Sequence, residues 1–369
     1  MNTDQQGQSP QPIDVGAKLK VIGVGGGGCN AVRRMYQQNV RGVELYVANT
    51  DIKALMMVDM PNRIQLGSRL TRGLGAGAEP NVGRQAAEES TEELKEALRG
   101  ADMIFIAAGM GGGTGTGAAP VVAEIAKETG ALTVAICTLP FAFEGGKRMA
   151  QAQEGLSRMR DNVDTLIAIN NDKLLAATPK KTSVDAGFQM ADDILVHAVR
   201  SISDLITMPG EINVDFADVR TIMRGGGPAI MAIGQGSGES RAIEAARAAI
   251  NNPLLDLSIE GAKGVLLSIT GGNDLTLNEV NLVADTVAKA VDPDAHIIFG
   301  VVKDSKSDKN VQVTVIATGV SEVAQSVPHI RSRQLEQAAA GTLSIGREPE
   351  VPVDYDTPAY LRSGRSRFR

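Results

Sequence analysis

Between residues 109 and 117 the chain reads Gly109-Met110-Gly111-Gly112-Gly113-Thr114-Gly115-Thr116-Gly117, six glycines in nine positions. An apolar run, Met103-Ile104-Phe105-Ile106, precedes it, and a helix-like segment, Ala118 to Glu128, follows. The pattern predicts a buried strand ending in a loop almost free of side chains, with a helix starting at once. Such glycines weaken an ordinary turn but let backbone approach a ligand closely. A helix N-terminus offers unpaired N–H groups and a partial positive charge to an anion. Thr114 and Thr116 add hydroxyls, so the stretch reads as a phosphate cradle.

Composition narrows the rest. At 369 residues the chain has room for two domains and tails, and a hydrophobic fraction of 43% supports a substantial core. The net charge of −6 gives no basic footprint, so nucleic acid is not an expected direct partner. Cys29 and Cys137 are too few and too far apart for a disulfide framework or a thiolate metal site, and His197, His296 and His329 lack zinc spacing. No run reaches the ~20 apolar residues of a membrane span. The polar start, MNTDQQGQSPQP, lacks a signal-peptide core, so the expected location is cytoplasmic.

Residues 1–13 read as a disordered arm. Lys18 to Val24 is a strand running into Gly23-Val24-Gly25-Gly26-Gly27-Gly28-Cys29-Asn30, followed by a helix from Ala31 to Gln38. A second strand, Val43 to Ala48, ends in Asn49-Thr50-Asp51. Further segments alternate: a small-residue loop at 71–78, a polar helix from Arg84 to Arg99, the strand–loop–helix of 103–128, a strand at 132–137, the run Pro140 to Arg148, a helix to about Asp161 and a strand at 165–170. Alternating strands and helices predict an α/β, Rossmann-like domain with a mostly parallel sheet. The Gly-rich loops fall at the carboxyl ends of its strands, where ligands of such sheets bind.

The period then changes. Phe188, Ala191, Ile194, Leu195, Ala198, Val199, Ile202, Leu205 and Ile206 recur at threes and fours, predicting one long helix over 184–208 that Pro209-Gly210 ends. The twenty-odd residues from Phe188 to Met208 span roughly 30 Å at 1.5 Å per residue. An acidic stretch, Asn213-Val214-Asp215-Phe216-Ala217-Asp218, comes next. Strands near 229–234, 264–269, 295–302 and 311–317, with helices near 239–251 and 276–290, suggest a smaller α+β domain. Residues 321–350 read as a linker. Apolar anchors return in 351–369, which suggests a docking peptide with a basic extension carrying Arg365, Arg367 and Arg369.

Gly23, Gly25 and Gly28 also fit G-x-G-x-x-G, with Asp51 where a ribose-binding acid belongs, so a dinucleotide-dependent oxidoreductase competes for this domain. Two features weigh against it: a second and richer phosphate loop at 109–117, and no evident hydride-transfer partner. A Walker-type loop is excluded, because G-x-x-x-x-G-K-[ST] is absent.

Gly111 to Gly117 matches the tubulin-family signature G-G-G-T-G-[ST]-G. With G-V-G-G-G-G-C-N at 23–30, Asn49-Thr50-Asp51 and N-V-D-F-A-D at 213–218, the chain resembles the FtsZ family, the bacterial cell-division homologues of tubulin. The resemblance spans about 18–320 and resumes at the terminal peptide. It implies a GTP-binding domain over 14–183, a central helix over 184–208 and an activating domain over 209–320. It also implies GTP hydrolysis to GDP and phosphate with Mg²⁺, head-to-tail assembly of copies of the chain, and residence at the midcell division site.

By position, the resemblance puts Gly26, Gly27, Gly28, Cys29 and Asn30 at the phosphates and sugar. Cys29 is a departure, since relatives commonly carry another glycine there. Gly111, Gly112, Gly113, Thr114, Gly115, Thr116 and Gly117 would bind phosphates, and Gly75, Ala76 and Gly77 would sense the γ-phosphate. Glu144 and Arg148 would hold the ribose side and Phe188 would stack on guanine. Asp192 would read the base, because a carboxylate accepts from both N1–H and N2–H of guanine whereas adenine offers no such pair. No metal ligand is assigned; the Mg²⁺ would be carried by phosphates and water.

Alone, Asn213, Asp215 and Asp218 describe a polar turn. If Phe188 and Asp192 touch the base, however, that segment lies roughly 30 Å away, and a γ-phosphate lies only about 10–12 Å from its base. Stacking copies head to tail would set the acids over a neighbour's nucleotide, where Asp215 and Asp218 orient the attacking water and Asn213 assists. The resemblance further implies that 352–362 docks on membrane-tethering adaptors and division regulators, and the arginines could add lateral filament contacts or attract anionic lipid. A scaffold that binds GTP but barely hydrolyses it is the remaining alternative.

Overall fold

The computed structural model describes residues 16–176, 181–208, 210–212, 214–252, 259–304 and 309–320. The arm, the linker, the docking peptide, Pro209 and Asn213 lie outside the described residues.

The chain alternates as expected: β1 (Leu19–Val24), α1 (Gly25–Gln37), β2 (Val43–Asn49), α2 (Ile52–Met56), β3 (Arg63–Gln65), α3 (Ser68–Thr71), α4 (Pro80–Glu89), α5 (Thr91–Leu98), β4 (Met103–Gly109), α6 (Thr114–Glu128), β5 (Leu132–Leu139), α7 (Gly146–Asn162), β6 (Thr165–Asn170) and α8 (Asn171–Ala176). The long helix follows as α9 (Val184–Thr207), started by Ser183, whose Oγ accepts the Ala186 N–H at 3.2 Å. The remaining elements are α10 (Phe216–Met223), β7 (Gly227–Ser237), α11 (Arg241–Ile250), β8 (Gly264–Gly271), α12 (Leu277–Ala288), β9 (His296–Lys303) and β10 (Asn310–Thr318).

All ten strands join one sheet in the order β3-β2-β1-β4-β5-β6-β7-β10-β8-β9. From β3 to β7 every pair is parallel; β10 then pairs antiparallel with both β7 and β8, and β9 returns to parallel. The elements expected to form the smaller α+β domain are joined to the first sheet through the short seam Thr165↔Gly227, Leu166↔Pro228 and Ile167↔Ala229. The order also creates a switch point: from β1 the chain winds outward to β2 and β3, and from β4 it winds the other way to β5 and β6. In such sheets a crevice opens at the carboxyl ends of the two strands where winding reverses.

Both faces of this sheet are covered, so strands read as continuous apolar runs whose side chains still alternate. On β4, Met103, Phe105 and Ala107 face a core shared with Val32 and Met35 of α1 and Leu195, Val199 and Ile202 of α9. Ile104, Ile106 and Ala108 face the other core, with Ala86 of α4, Leu94 and Leu98 of α5, Val122 of α6 and Met159 of α7. The α9 core continues onto Met231, Leu266, Ile298 and Ile316, so this helix packs under both halves of the sheet. A third core lies between β7–β10 and the pair α11 and α12.

Three local expectations need correction. The single helix over 84–99 is two, broken at Ser90, whose buried hydroxyl accepts the Gly67 N–H at 3.0 Å and ties the break to the β3–α3 connection. The acidic stretch turns into helix part-way: Asp215 precedes α10, which holds Asp218 in its first turn and buries Val219, Ile222 and Met223 at helical spacing. Half of each glycine-rich loop is also helix. Gly25 to Gly28 form the first turn of α1, and Thr114 to Gly117 the first turn of α6. No described helix is long and apolar enough to cross a membrane.

Candidate active site

A cleft of about 420 Å³ opens at the carboxyl ends of β1, β4, β5 and β6, which is within the range of small-ligand sites. It sits at the switch point. Its floor is backbone from the two helix starts, Gly26 and Gly27 of α1 and Thr114 and Gly115 of α6, together with Gly109, Gly112 and Gly113. Neither helix start carries a side-chain cap or an acidic residue in its first turn. Two sets of unsatisfied N–H groups and two positive dipole ends thus meet at one place, which suits an anion.

The two starts interlock. Gly25 has φ +73°, and a Cβ there would lie 2.8 Å from the Gly115 nitrogen, so only glycine lets the helices approach this closely. Gly111, at φ +101°, turns the β4–α6 loop so that its N–H points inward and donates to Thr116 Oγ1 at 2.8 Å. Thr114 Oγ1 lies 2.7 Å from Thr50 Oγ1, linking the loop after β2 to the same floor.

The opposite wall is made of side chains. Glu144 ends a short 3-10 turn, Ala142–Glu144, and its carboxylate accepts from the Phe141 N–H at 2.9 Å and from Arg148 Nη1 at 2.5 Å. Phe188 of α9 stands edge-on to Phe141, with ring centroids 5.4 Å apart, and is 41% exposed, which leaves a face open for stacking. One turn along α9, Asp192 lines the cleft beside Ala191, and Arg34 of α1 donates Nε–H to its Oδ2 at 3.3 Å. Burial pushes the Asp192 carboxyl up to about 6 despite the opposing pull of Arg34 and Arg33, and Asp193 adds to the rise.

Of the residues expected here, Gly26, Gly27, Asn30, Gly112, Gly113, Thr114, Gly115, Glu144, Arg148, Phe188 and Asp192 come together around the cleft. The others stand behind it. A Cβ on Gly28 would lie 2.2 Å from the Ala107 carbonyl oxygen, and one on Gly117 would lie 1.9 Å from that of Pro80, so both serve close packing. Cys29 points away from the cleft, its Sγ within 3.6 Å of the Gly23 carbonyl and 3.5 Å of the Ala48 carbonyl; burial pushes its thiol up to about 12. Gly111 and Thr116 brace the loop from inside. Gly75, Ala76 and Gly77 lie outside the lining: Ala76 packs against Gly113, and the Gly75 N–H reaches the Thr50 carbonyl at 3.3 Å.

Asp51, the acid a dinucleotide site needs for ribose, is committed elsewhere. Its Oδ1 caps α2, accepting from the Lys53 and Ala54 N–H groups at 2.8 and 3.1 Å. Sequence reasoning missed Asn171, which lines the cleft, is 5% exposed and has an Oδ1 without a hydrogen-bond partner. Thr138, Pro140 and Ala191 were missed as well. A signal existed for Asn171, since it directly follows β6 at the carboxyl edge of the sheet.

Asp215 and Asp218 are exposed, and neither carboxylate has a hydrogen-bond or ion-pair partner among the described residues. They follow the far end of α9, where Thr207 packs against Gly42 before the amino end of β2. Phe188 and Thr207 are nineteen residues apart on one helix, about 29 Å.

Residues 18–179 match the model of the tubulin/FtsZ family GTPase domain, and residues 227–321 match that of the FtsZ family C-terminal domain. An FtsZ of M. jannaschii, solved as an empty dimer, is 46% identical and superposes with a TM-score of 0.80 over 83% of this chain and 89% of its own. The chain belongs to the FtsZ family. It is accordingly a GTPase that binds guanine nucleotide. Two Haloferax volcanii structures share the fold at lower identity. CetZ1, a GDP-bound monomer, is 23% identical over 88% of this chain and 98% of its own, with a TM-score of 0.73. CetZ2, a GTPγS-bound protofilament, is 22% identical over 88% of this chain and all of its own, with a TM-score of 0.70.

Proposed function

We propose that this chain is a self-assembling GTPase that stacks head to tail into the filaments of the bacterial division ring, and that each active site is divided between two copies. One observation carries the reading: the two acids lining the cleft, Asp192 and Glu144, are paired with Arg34 and Arg148, while Asp215 and Asp218, which have no partner among the described residues, follow the far end of α9, a helix that runs about 29 Å from Phe188 to Thr207. The triphosphate lies on the N–H groups of Gly26, Gly27, Gly113, Thr114 and Gly115. Glu144 and Arg148 hold the ribose, Phe188 stacks on the base, and Asp192 reads its edge. Gly75, Ala76 and Gly77 respond to the γ-phosphate, with Ala76 packed on Gly113 as the link to the floor.

A neighbour's Asp215 and Asp218, with Asn213, then orient and polarise the water for in-line attack, and the phosphorus–oxygen bond to the leaving GDP breaks as the new one forms. Among the described residues no three His, Cys, Asp or Glu side chains gather to hold a metal ion. The backbone N–H groups of the floor would hold the phosphates, and Mg²⁺ would be carried by phosphate oxygens and water, where it would neutralise developing charge. Since the contact joins unlike surfaces, it propagates without closing. The assembly works in the cytoplasm at midcell, and 352–362 is its docking peptide for membrane-tethering adaptors and division regulators.

The test is Asp218→Ala. Its monomer should bind GTP like the wild type, while phosphate release falls about a hundredfold, the loss of a water-activating group. Loss of GTP binding by the variant monomer would place Asp218 in its own subunit's site and sink the divided arrangement.

A further inference from the structure

The residue that reads the base is itself held by another helix. Arg34 of α1 donates Nε–H to Asp192 Oδ2 and Nη1–H to Asp193 Oδ1, both at 3.3 Å, spanning two successive carboxylates of α9. One turn earlier on α1, Asn30 lines the cleft; Arg34 does not. The side chains of Arg34 and Asp192 are 23% and 15% exposed. Arg34 thus lies behind Asp192 and leaves its Oδ1 without a partner among the described residues.

Burial works against the charged form of this carboxylate, and protonation turns one of its two acceptor oxygens into a donor, so the neutral group no longer offers both oxygens to a pair of N–H groups. Its charge therefore decides what it can read. The groups facing it are Arg34 and Arg33 from α1 and Asp193 from its own helix; across the cleft, Glu144 and Arg148 pair with each other. Arg34 is the cation that touches it, and because the same guanidinium also holds Asp193, it anchors the Asp192 Oδ2 from the side away from the cleft.

We propose that Arg34 is a positioning residue for base specificity, holding Asp192 ionised and oriented so that the carboxylate accepts the paired N1–H and N2–H donors of guanine. This rests on Asp192 being the base-reading residue.

The experiment measures equilibrium binding of GTP and ITP to the full chain below its assembly concentration, from about pH 5 to pH 8, below the titration of Tyr and Lys side chains. Inosine keeps N1–H and lacks the 2-amino group, and the GTP-to-ITP ratio cancels the titration of the triphosphate. In the wild type the preference for GTP should fall as pH drops through about 6, where Asp192 gains its proton. In Arg34→Met that midpoint should move up by about one pH unit or more, a tenfold change in proton affinity. Arg34→Lys keeps the charge without the fork and should recover part of the displacement. Asp192→Asn should give a flat ratio.

If Arg34→Met weakens both nucleotides equally at every pH with the midpoint unmoved, Arg34 only supports the fold and the proposal is wrong, while Asp192 keeps its role. If Asp192→Asn leaves the ratio and its pH dependence as in the wild type, the reading of Asp192 itself is overturned.

Discussion

Two threonines of one loop show how far a residue's type constrains its work. Thr114 and Thr116 look equivalent in sequence, and both carry a hydroxyl beside glycines. The structure separates them: Thr114 lines the cleft, whereas Thr116 is 2% exposed and its hydroxyl accepts the Gly111 N–H. In Thr116→Val that buried N–H loses its acceptor, which should cost about 1–3 kcal/mol of stability. Denaturant unfolding checks this directly. Nucleotide affinity should fall as well, since the turn at Gly111 shapes the floor. The same limit applies to Asp51, a plausible ribose ligand by spacing and a helix cap in fact. Residue identity and spacing specify chemistry that is available; only the pairing of each polar atom shows whether that chemistry is already used.

At the scale of elements most of the fold was legible, because periodicity and glycine punctuation are local. The strand at 165–170 and the helix over 184–208 follow directly from their patterns. The failures are equally physical. The break at Ser90 is tied by a hydrogen bond to Gly67, more than twenty residues away, and its only local sign is the start pattern Ser90-Thr91-Glu92-Glu93 inside an otherwise helical run. Helix α10 hid behind its acids, Asp215 just before it and Asp218 in its first turn, although Phe216, Val219, Ile222 and Met223 carry the right spacing. The joining of β6 to β7 is a long-range pairing that no window of sequence contains.

The contact between α11 and α12 also escaped the sequence, and it carries a measurable consequence. The buried Arg241 donates to Glu279 at 2.6 and 3.1 Å and to the Asp274 carboxylate at 2.6 Å. Those bonds hold the Glu279 carboxyl down at about 2 from its ordinary 4.5. Because the folded value is depressed, the contribution to stability is present above pH 4.5 and is lost as pH falls toward 2. Melting temperature against pH should therefore show the wild type ahead of Glu279→Gln near neutrality, with the gap closing across that window. A constant gap would mean that packing alone separates the two proteins.

For the whole molecule, the sheet and α9 together act as a spacer. One end presents a cleft formed by two helix starts, and the other presents Asp215 and Asp218 beyond Thr207, without partners among the described residues. The proposed division of the active site makes hydrolysis a property of contact between copies. Phosphate release per copy should therefore rise steeply above a threshold concentration and be nearly absent below it, as followed by light scattering and phosphate assay on the same samples. A rate per copy that is independent of dilution would require a complete site within one chain.

Spacing the two surfaces on opposite ends also makes any row of copies unequal at its tips. Under the proposed stacking, one tip shows an uncovered cleft and the other shows bare acids. A row thus always holds one fewer finished site than it has members. The member with the uncovered cleft keeps its triphosphate until another copy lands on it. Arrival starts the clock for the copy beneath, so the order in which copies joined is written into the row as a gradient of intact and spent nucleotide.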